Sequence, residues 1–129
     1  MNILFQAFNQ LSTEIIITDL DFHIITMNES AASNGWKSDS LNHSKALERV
    51  ISKSKINKSE LPSLDSFIDN DSFENLKEAR EHPQQNSSAT TKRDLSIKFK
   101  NGQERTIDLT VSLSEEFEVY ILEISNVDN

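Results

Sequence analysis

Histidine, the side chain most often used in acid–base and metal chemistry, is rare in this chain, and its copies are widely separated. The chain contains three histidines and no cysteine. His43 and His82 follow His23 by 20 and 59 positions, which is not the close spacing of a metal-ligand set. The absence of cysteine excludes thiolate metal sites and cysteine nucleophiles. We therefore expect the chain to carry no metal ion and no cofactor.

Acidic side chains occur in pairs of the kind that can support general acid–base catalysis. Each pair falls in a stretch predicted to be a turn or the start of a helix, where acidic residues are common for structural reasons. The pairs are Asp19 with Asp21, Asp69 with Asp71, and Glu115 with Glu116. We assign no catalytic residue and predict that the domain itself is not an enzyme.

The composition restricts the class of protein further. The chain has 129 residues, 36% of them hydrophobic, which suits one domain with a modest core. Its net charge of -8 disfavours binding to nucleic acid or to anionic membranes. Gly35 and Gly102 are its two glycines and lie 67 positions apart, so no phosphate-binding loop can form. With no signal peptide or membrane-spanning run in the sequence, we expect a cytoplasmic location.

A β-hairpin followed by a short helix is predicted near the start of the chain. The run from Ile15 to Ile17 is β-branched and ends at an acidic turn, and a second apolar run extends from Phe22 to Met27. Asn28 is a good N-cap for the helix that follows, and this capping role is favoured over contact with a ligand. Gly35 suits the left-handed position after a helix end.

These residues resemble the PAS sensor domains, in which an Asp-x-Asp hairpin leads to Asn-Pro-Ala-Ala and then to a Gly-aromatic-x-x-acidic-x-Leu motif. That last motif reads Gly35-Trp36-Lys37-Ser38-Asp39-Ser40-Leu41 here. Glu29 replaces the usual proline, and Phe22 stands where most members have glycine. Phe22, the segment Leu61-Pro62-Ser63-Leu64 and the end of the chain together make this sequence most similar to the PAS domains of nitrogen-regulation sensor histidine kinases.

An apolar stripe on residues 1–12 predicts an N-terminal helix that flanks the PAS domain at 13–129. The helical spacing leaves two hypotheses, packing of the stripe on its own domain or pairing with a second copy. The resemblance favours a homodimer. The stripe consists of Ile3, Leu4, Ala7, Phe8 and Leu11.

The middle of the chain is predicted to be helical and then irregular. Lys45, Arg49 and Lys53 recur every four residues and form either a solvated face or a docking site for an acidic protein partner. Asp71 is predicted to cap a helix, with Glu74 completing a capping box, and this helix is predicted to end at His82-Pro83. The polar stretch from Pro83 to Lys92 is predicted to be a loop.

Alternating residues in the last third predict three strands. Leu95, Ile97 and Phe99 alternate with polar residues, and Asn101-Gly102 predicts a tight hairpin turn. A second alternating strand starts at Ile107, and the nearly continuous apolar run from Val119 to Ile124 suits the centre of a sheet. The expected class is α+β. The resemblance adds a five-stranded antiparallel PAS sheet with helices on one face.

The resemblance also implies a function. It predicts a sensor and dimerisation domain that passes a conformational signal to a histidine kinase region after Asn129, through a signal exit at Asn126, Val127 and Asp128. The matching family motif is Asp-Ile-Thr-like, so Asn126 replaces an aspartate. No histidine here is followed by the acidic residue that accompanies a phospho-accepting histidine.

Two other functions compete with this one. A free-standing PAS domain could bind a small molecule or cofactor in its core; His82 would then be the haem-ligand candidate, although a histidine at a helix end is expected anyway. An enzyme on a small α+β cone is disfavoured, because the hairpin precedes any long helix and no acidic residue lies within an apolar run.

The apolar stripe generates a first prediction, a homodimer formed through the N-terminal helix. Phe8 is its largest side chain, so Phe8→Ala should cost roughly 3–5 kcal/mol, shared between the fold and the interface. Analytical ultracentrifugation of the two proteins measures the effect. A wild-type chain that sediments purely as a monomer at tens of micromolar would rule the dimer out.

Overall fold

In the part of the chain that the structure describes, two short strands are followed by two helices and three longer strands. The computed structural model describes residues 12–36, 49, 52, 61–81 and 89–127. None of the helices in those ranges is long and apolar enough to span a membrane. The elements are β1 (Glu14–Asp19), β2 (Ile24–Met27), α1 (Glu29–Ser33), a 3₁₀ turn (Leu64–Ser66), α2 (Asn70–Glu81), β3 (Ala89–Lys98), β4 (Glu104–Ser114) and β5 (Val119–Asn126).

Several predicted features lie outside the described residues. They are the apolar stripe from Ile3 to Leu11, residues 37–41 of the motif that starts at Gly35, the basic residues Lys45 and Lys53, the helix end at His82, and Asp128 at the signal exit. Arg49 is described and lies in a helical conformation.

The five strands form one antiparallel sheet in the order β2-β1-β5-β4-β3. The first and last strands of the chain are therefore neighbours, with Ile16 opposite Leu122. On its other side Leu122 lies opposite Val111 of β4. The apolar run that predicted a central strand does occupy the centre of the sheet. The α+β prediction with a five-stranded antiparallel sheet is confirmed.

The larger of two buried apolar clusters lies on one face of this sheet, beneath α2 and the 3₁₀ turn. Leu95 and Ile97 of β3 are buried, whereas Ser96 and Lys98 between them are exposed. From the helical side Leu76 of α2 is fully buried in the same apolar cluster. Each such side chain contributes about 1.5–3 kcal/mol on burial, so the alternation in the sequence fixes which face of the sheet is covered.

The start of α2 differs from the prediction by two residues. The helix begins at Asn70, and its capping side chain is Asp69, whose Oδ1 accepts from the Ser72 backbone N–H at 2.9 Å. The Ser72 hydroxyl and this N–H together lower the pKa of Asp69. A lowered pKa in the folded state contributes stability at pH values above the ordinary aspartate pKa of about 4, and that contribution is lost as pH falls through the lowered pKa. The prediction of Asp71 as the capping residue was wrong.

The predicted loop from Pro83 to Lys92 is also corrected, because β3 already begins at Ala89. Thr90 pairs with Val111, and Thr91 pairs with Thr110. A bulge between Lys92 and Leu95 interrupts the register there, with Asp94 at a φ of 55°. A bulge adds one residue and so breaks the two-residue alternation that marks a strand in sequence. The strand therefore shows its pattern only from Leu95 onward.

Both glycines adopt positive φ, but their surroundings differ. Gly35 has a φ of 109°, and a Cβ there would lie 2.9 Å from Cζ of Phe99. Phe99 is itself held edge-on against buried Trp36, with ring centroids 5.0 Å apart. Gly102 has a φ of 95° in the β3–β4 turn, and a Cβ there would meet nothing within 4 Å.

We predict that Gly35→Ala destabilises the fold more than Gly102→Ala does. Gly102→Ala adds only backbone strain, about 1–2 kcal/mol. Gly35→Ala adds the same strain and also a steric clash with the Phe99 ring, which must move. That clash should cost about 1–3 kcal/mol more. Urea denaturation measures both, with Lys100→Ala in the exposed turn as control. Equal losses for the two glycine variants would show that Phe99 is not fixed in place.

Candidate functional site

The end of the sheet where β5 leaves it brings together polar side chains from three adjacent strands. Glu14 opens β1, opposite Ile124 of β5. Asn126 closes β5, opposite Ile107 of β4, and Arg105 lies two residues before Ile107. Side chains two apart on a strand share a face. Glu14, Arg105 and Asn126 therefore all lie on the core side of the sheet, at the ends of its three inner strands.

Arg105 binds the other two side chains directly. Its Nη1 and Nη2 donate to Oε1 and Oε2 of Glu14 at 2.8 and 2.6 Å, which is a two-point pairing of guanidinium with carboxylate. Its Nε donates to Oδ1 of Asn126 at 3.1 Å, and Nη2 donates to the same oxygen. Nη1 also donates to the Asn34 carbonyl at 3.0 Å. We call Glu14, Asn34, Arg105 and Asn126 the Arg105 cluster.

The charged pair in this cluster is withdrawn from water. The side chains of Arg105 and Glu14 are 10% and 5% exposed. Partners this buried are weakly screened, and desolvation offsets much of their attraction, so the pair adds little net stability against an apolar replacement. Removing one partner alone leaves an uncompensated charge and is expensive. The cluster therefore tolerates only paired changes, which suits a structural connection.

Asn28 connects the same region to α1. Its side chain is fully buried, and its Oδ1 accepts from the backbone N–H of Ala31 and of Ile15, both at 3.1 Å. Its Nδ2 donates to the Thr13 carbonyl at 2.7 Å. The first bond caps α1 and the other two hold the start of β1 on either side of Glu14. Helix α1 is thus bound to β1 at its start and, through the Asn34 carbonyl, to Arg105 at its end.

Gly35 and Trp36 complete the turn that follows α1. The Trp36 N–H donates to the Ala31 carbonyl at 3.3 Å, and the indole is fully buried against Phe99. The indole Nε1 finds no hydrogen-bond partner among the described residues. A buried N–H without a partner is unusual in a folded protein.

The backbone after the cluster continues along β4. The Val127 N–H donates to the Thr106 carbonyl at 3.2 Å. Beside it lies an open groove of about 330 Å³, lined by Ser96, Glu104, Arg105, Thr106, Asn126 and Val127. A change in the Arg105 cluster would therefore act directly on the last described residue of the chain.

The structure brings Asn28, Asn126 and Val127, which were singled out from the sequence, to this end of the sheet, whereas no role was predicted for Glu14 or Arg105. Both have a sequence signal in hindsight. Glu14 is in phase with buried Ile16, and Arg105 is in phase with buried Ile107. Two opposite charges in core-facing phase at strand ends indicate a buried pair, once the strands are known to be close. Sequence alone could not supply that proximity.

A second polar group lies at the opposite end of the sheet, in the β1–β2 turn. Asp19, Asp21 and His23 carry potential ligand atoms within 4.8 Å of one another. Oδ1 of Asp19 already accepts from the backbone N–H of both Asp21 and His23 at 2.9 Å. Its Oδ2 lies 3.1 Å from Nδ1 of His23. These contacts give the carboxylate a structural role in the turn, and the absence of a metal stays a prediction.

We predict strong coupling between Glu14 and Arg105 in a double-mutant cycle. Arg105→Met or Glu14→Met alone should cost roughly 3–5 kcal/mol, because each leaves one buried charge without a partner. The double variant should cost less than either single change. Urea denaturation of the four proteins measures this.

An exposed ion pair provides the matched control for that cycle. Lys92 and Glu78 join β3 to α2 at 2.9 Å, with side chains 35% and 55% exposed. The corresponding cycle on this pair should show a coupling of less than about 1 kcal/mol. Purely additive losses at Glu14 and Arg105 would contradict the proposed pairing.

Comparison with known proteins gives matches in structure only. No family model and no curated protein sequence matches the chain. The PAS domain of nitrogen regulation protein NR(II) from Vibrio parahaemolyticus is similar with a TM-score of 0.62 at 16% identity, over 98% of this chain and 100% of that one. A PAS domain from Colwellia psychrerythraea has a TM-score of 0.62 at 15% identity, over 98% of each chain.

A PAS domain from a two-component sensor histidine kinase is also similar, with a TM-score of 0.58 at 10% identity, over 96% of this chain and 93% of that one. Identities this low establish the fold alone. The strand order, the helices on one face and these similarities agree, and the chain has the PAS fold.

Proposed function

We propose that this chain is the regulatory PAS domain of a two-component histidine kinase, of the nitrogen-regulation type. The observation that carries the proposal is the Arg105 cluster. It binds the first strand, the last strand and the end of α1 at the point where the chain leaves the sheet. The likeness to the NR(II) PAS domain, at 16% identity, supports the choice of subfamily.

The proposed mechanism is a conformational bias passed through β5. This strand is central, pairing with β1 along six residues and with β4 along eight. A shift in how α1 or the core packs would change the Arg105 contacts and so the direction in which the chain leaves Asn126. Two copies held together by the N-terminal stripe would then turn their following segments relative to each other, which suits a kinase with two states.

The domain would perform no chemistry itself in this role. It would act in the cytoplasm as a homodimer, with the kinase region as its output. The basic residues Lys45, Arg49 and Lys53 would form the docking site for an acidic protein partner.

A second candidate function is a PAS domain that senses a small molecule bound in its core. The observation that favours it is the Trp36 indole, which is fully buried with no hydrogen-bond partner for Nε1 among the described residues. A bound molecule with an acceptor atom would satisfy that N–H. The two functions are compatible, since a ligand at Trp36 would contact the turn that follows α1.

The test has two parts, the codons that follow Asn129 and the autophosphorylation rate of the protein that they encode. We expect these to encode a helical linker, a histidine followed by an acidic residue, and a glycine-rich ATP-binding region. Arg105→Met should change the autophosphorylation rate several-fold. Arg93→Met, at an exposed arginine of β3, is the control and should leave the rate unchanged.

Two results would contradict the proposal. A stop codon directly after Asn129 removes the kinase and leaves a free-standing ligand sensor. A kinase whose rate responds equally to the Arg105 and Arg93 variants removes the Arg105 cluster from the signalling path.

A further inference from the structure

Phe22 combines two properties that rarely occur together. Its φ is 62°, in the left-handed region that disfavours residues with a Cβ and above all bulky ones. Its side chain is nevertheless only 2% exposed. A glycine would adopt this backbone conformation without strain. The contacts of the buried ring must therefore offset the strain that phenylalanine introduces.

Hydrogen bonds on both sides of Phe22 hold the strained backbone. The Phe22 N–H donates to the Asp19 carbonyl at 3.2 Å, and the Phe22 carbonyl accepts from Leu64 at 2.9 Å. The neighbouring N–H groups of Asp21 and His23 both donate to the Asp19 carboxylate. Local strain persists only where surrounding contacts determine it, and such positions are concentrated at functional sites.

The ring of Phe22 lies between the main helix and the central strand. It stacks on Tyr120 of β5, with centroids 5.3 Å apart and planes 17° apart. It meets Phe73 of α2 edge-on, with centroids 5.9 Å apart. We call the space between Phe73 and Tyr120 the aromatic slot. Both of its walls are partly exposed, so the slot lies close to the surface.

We propose that the aromatic slot is a binding site for a planar aromatic molecule, which enters by displacing the ring of Phe22. The displaced residue would lose its apolar contacts but could relax its backbone to negative φ. The incoming ring would restore the stacked and edge-on contacts, which depend on an aromatic plane and not on Phe22 itself. Exposed Leu20 and Asp21 place the turn at the surface, where it has room to move.

Such an exchange would reach the elements that matter for signalling. The Phe22 carbonyl holds Leu64 at the 3₁₀ turn, and the slot separates α2 from β5. Displacement would therefore shift α2 and the 3₁₀ turn relative to the central strand. The proposal deepens the proposed sensory function by naming a ligand class, and it rests on that function only for its consequence in the cell.

The decisive experiment is titration of the wild-type chain with indole, followed by amide NMR. We expect saturable shifts at Phe22, Leu64 and Tyr120, with little change for the same concentration of cyclohexanol, which is similar in size but not aromatic. Phe22→Gly should bind indole at least tenfold more tightly than the wild type, because it removes the competing ring. Phe22→Ala is the second variant if the glycine protein does not fold.

The backbone strain at Phe22 is tested by comparing the stability of glycine and alanine variants at Phe22 and at Phe99. Phe22→Gly should be at least as stable as Phe22→Ala, because glycine relieves the left-handed φ. At Phe99, a buried phenylalanine without positive φ, the glycine variant should be the less stable one. The same order at both positions would show that Phe22 carries no strain and would overturn the proposal.

The wild-type titration decides whether indole can displace the Phe22 ring. Indole that binds Phe22→Gly but leaves the wild type unchanged shows a cavity that Phe22 does not yield, and this also overturns the proposal. Binding is measured on the domain alone, without a kinase. A failed titration therefore leaves the role of the Arg105 cluster in signalling untouched, and a failed kinase assay leaves the slot untouched.

Discussion

The buried pairing of the Arg105 guanidinium with the Glu14 carboxylate is the constraint around which the functional end of this domain is organised. The two residues are 91 positions apart in sequence, and only the adjacency of β1, β5 and β4 brings them together. A charge this buried must be matched, so β1 and β4 cannot move apart at this end without a large penalty. The last strand lies between them and is fixed by the same contacts.

The neutral amide of Asn126 fits this arrangement. An aspartate at this position would place a second carboxylate beside the same arginine. Asn126 offers an acceptor oxygen to Arg105 but no charge, and in the described part of the chain Glu14 is the carboxylate that balances the guanidinium. The charge that pairs with Arg105 therefore comes from β1 and not from β5. Asn28 and the Asn34 carbonyl extend the connection to α1, so one polar network joins helix, first strand and last strand.

Much of the fold could be predicted from sequence because it depends on local patterns. Alternation from Leu95 onward gave the covered face, and the apolar run from Val119 gave the central strand. Features that depend on long-range pairing were not visible. Thr90 and Thr91 near the start of β3 are polar and form a strand only by pairing with β4. The bulge at Asp94 puts them out of step with the alternation that starts at Leu95. Glu14 and Arg105 each read as an ordinary charge at a strand end until the topology places them together.

The central claim, that Glu14 controls the end of β5 through Arg105, is tested most directly by native-state hydrogen exchange in Glu14→Gln. The Val127 N–H, bonded to the Thr106 carbonyl, reports opening at the end of β5. The His23 N–H, bonded to Asp19 in the β1–β2 turn, reports opening at the other end of the sheet. The account predicts that exchange at Val127 accelerates about tenfold or more, or ~1.4 kcal/mol of opening free energy, while His23 changes little. Unchanged protection at Val127, with faster exchange only beside residue 14, would contradict it.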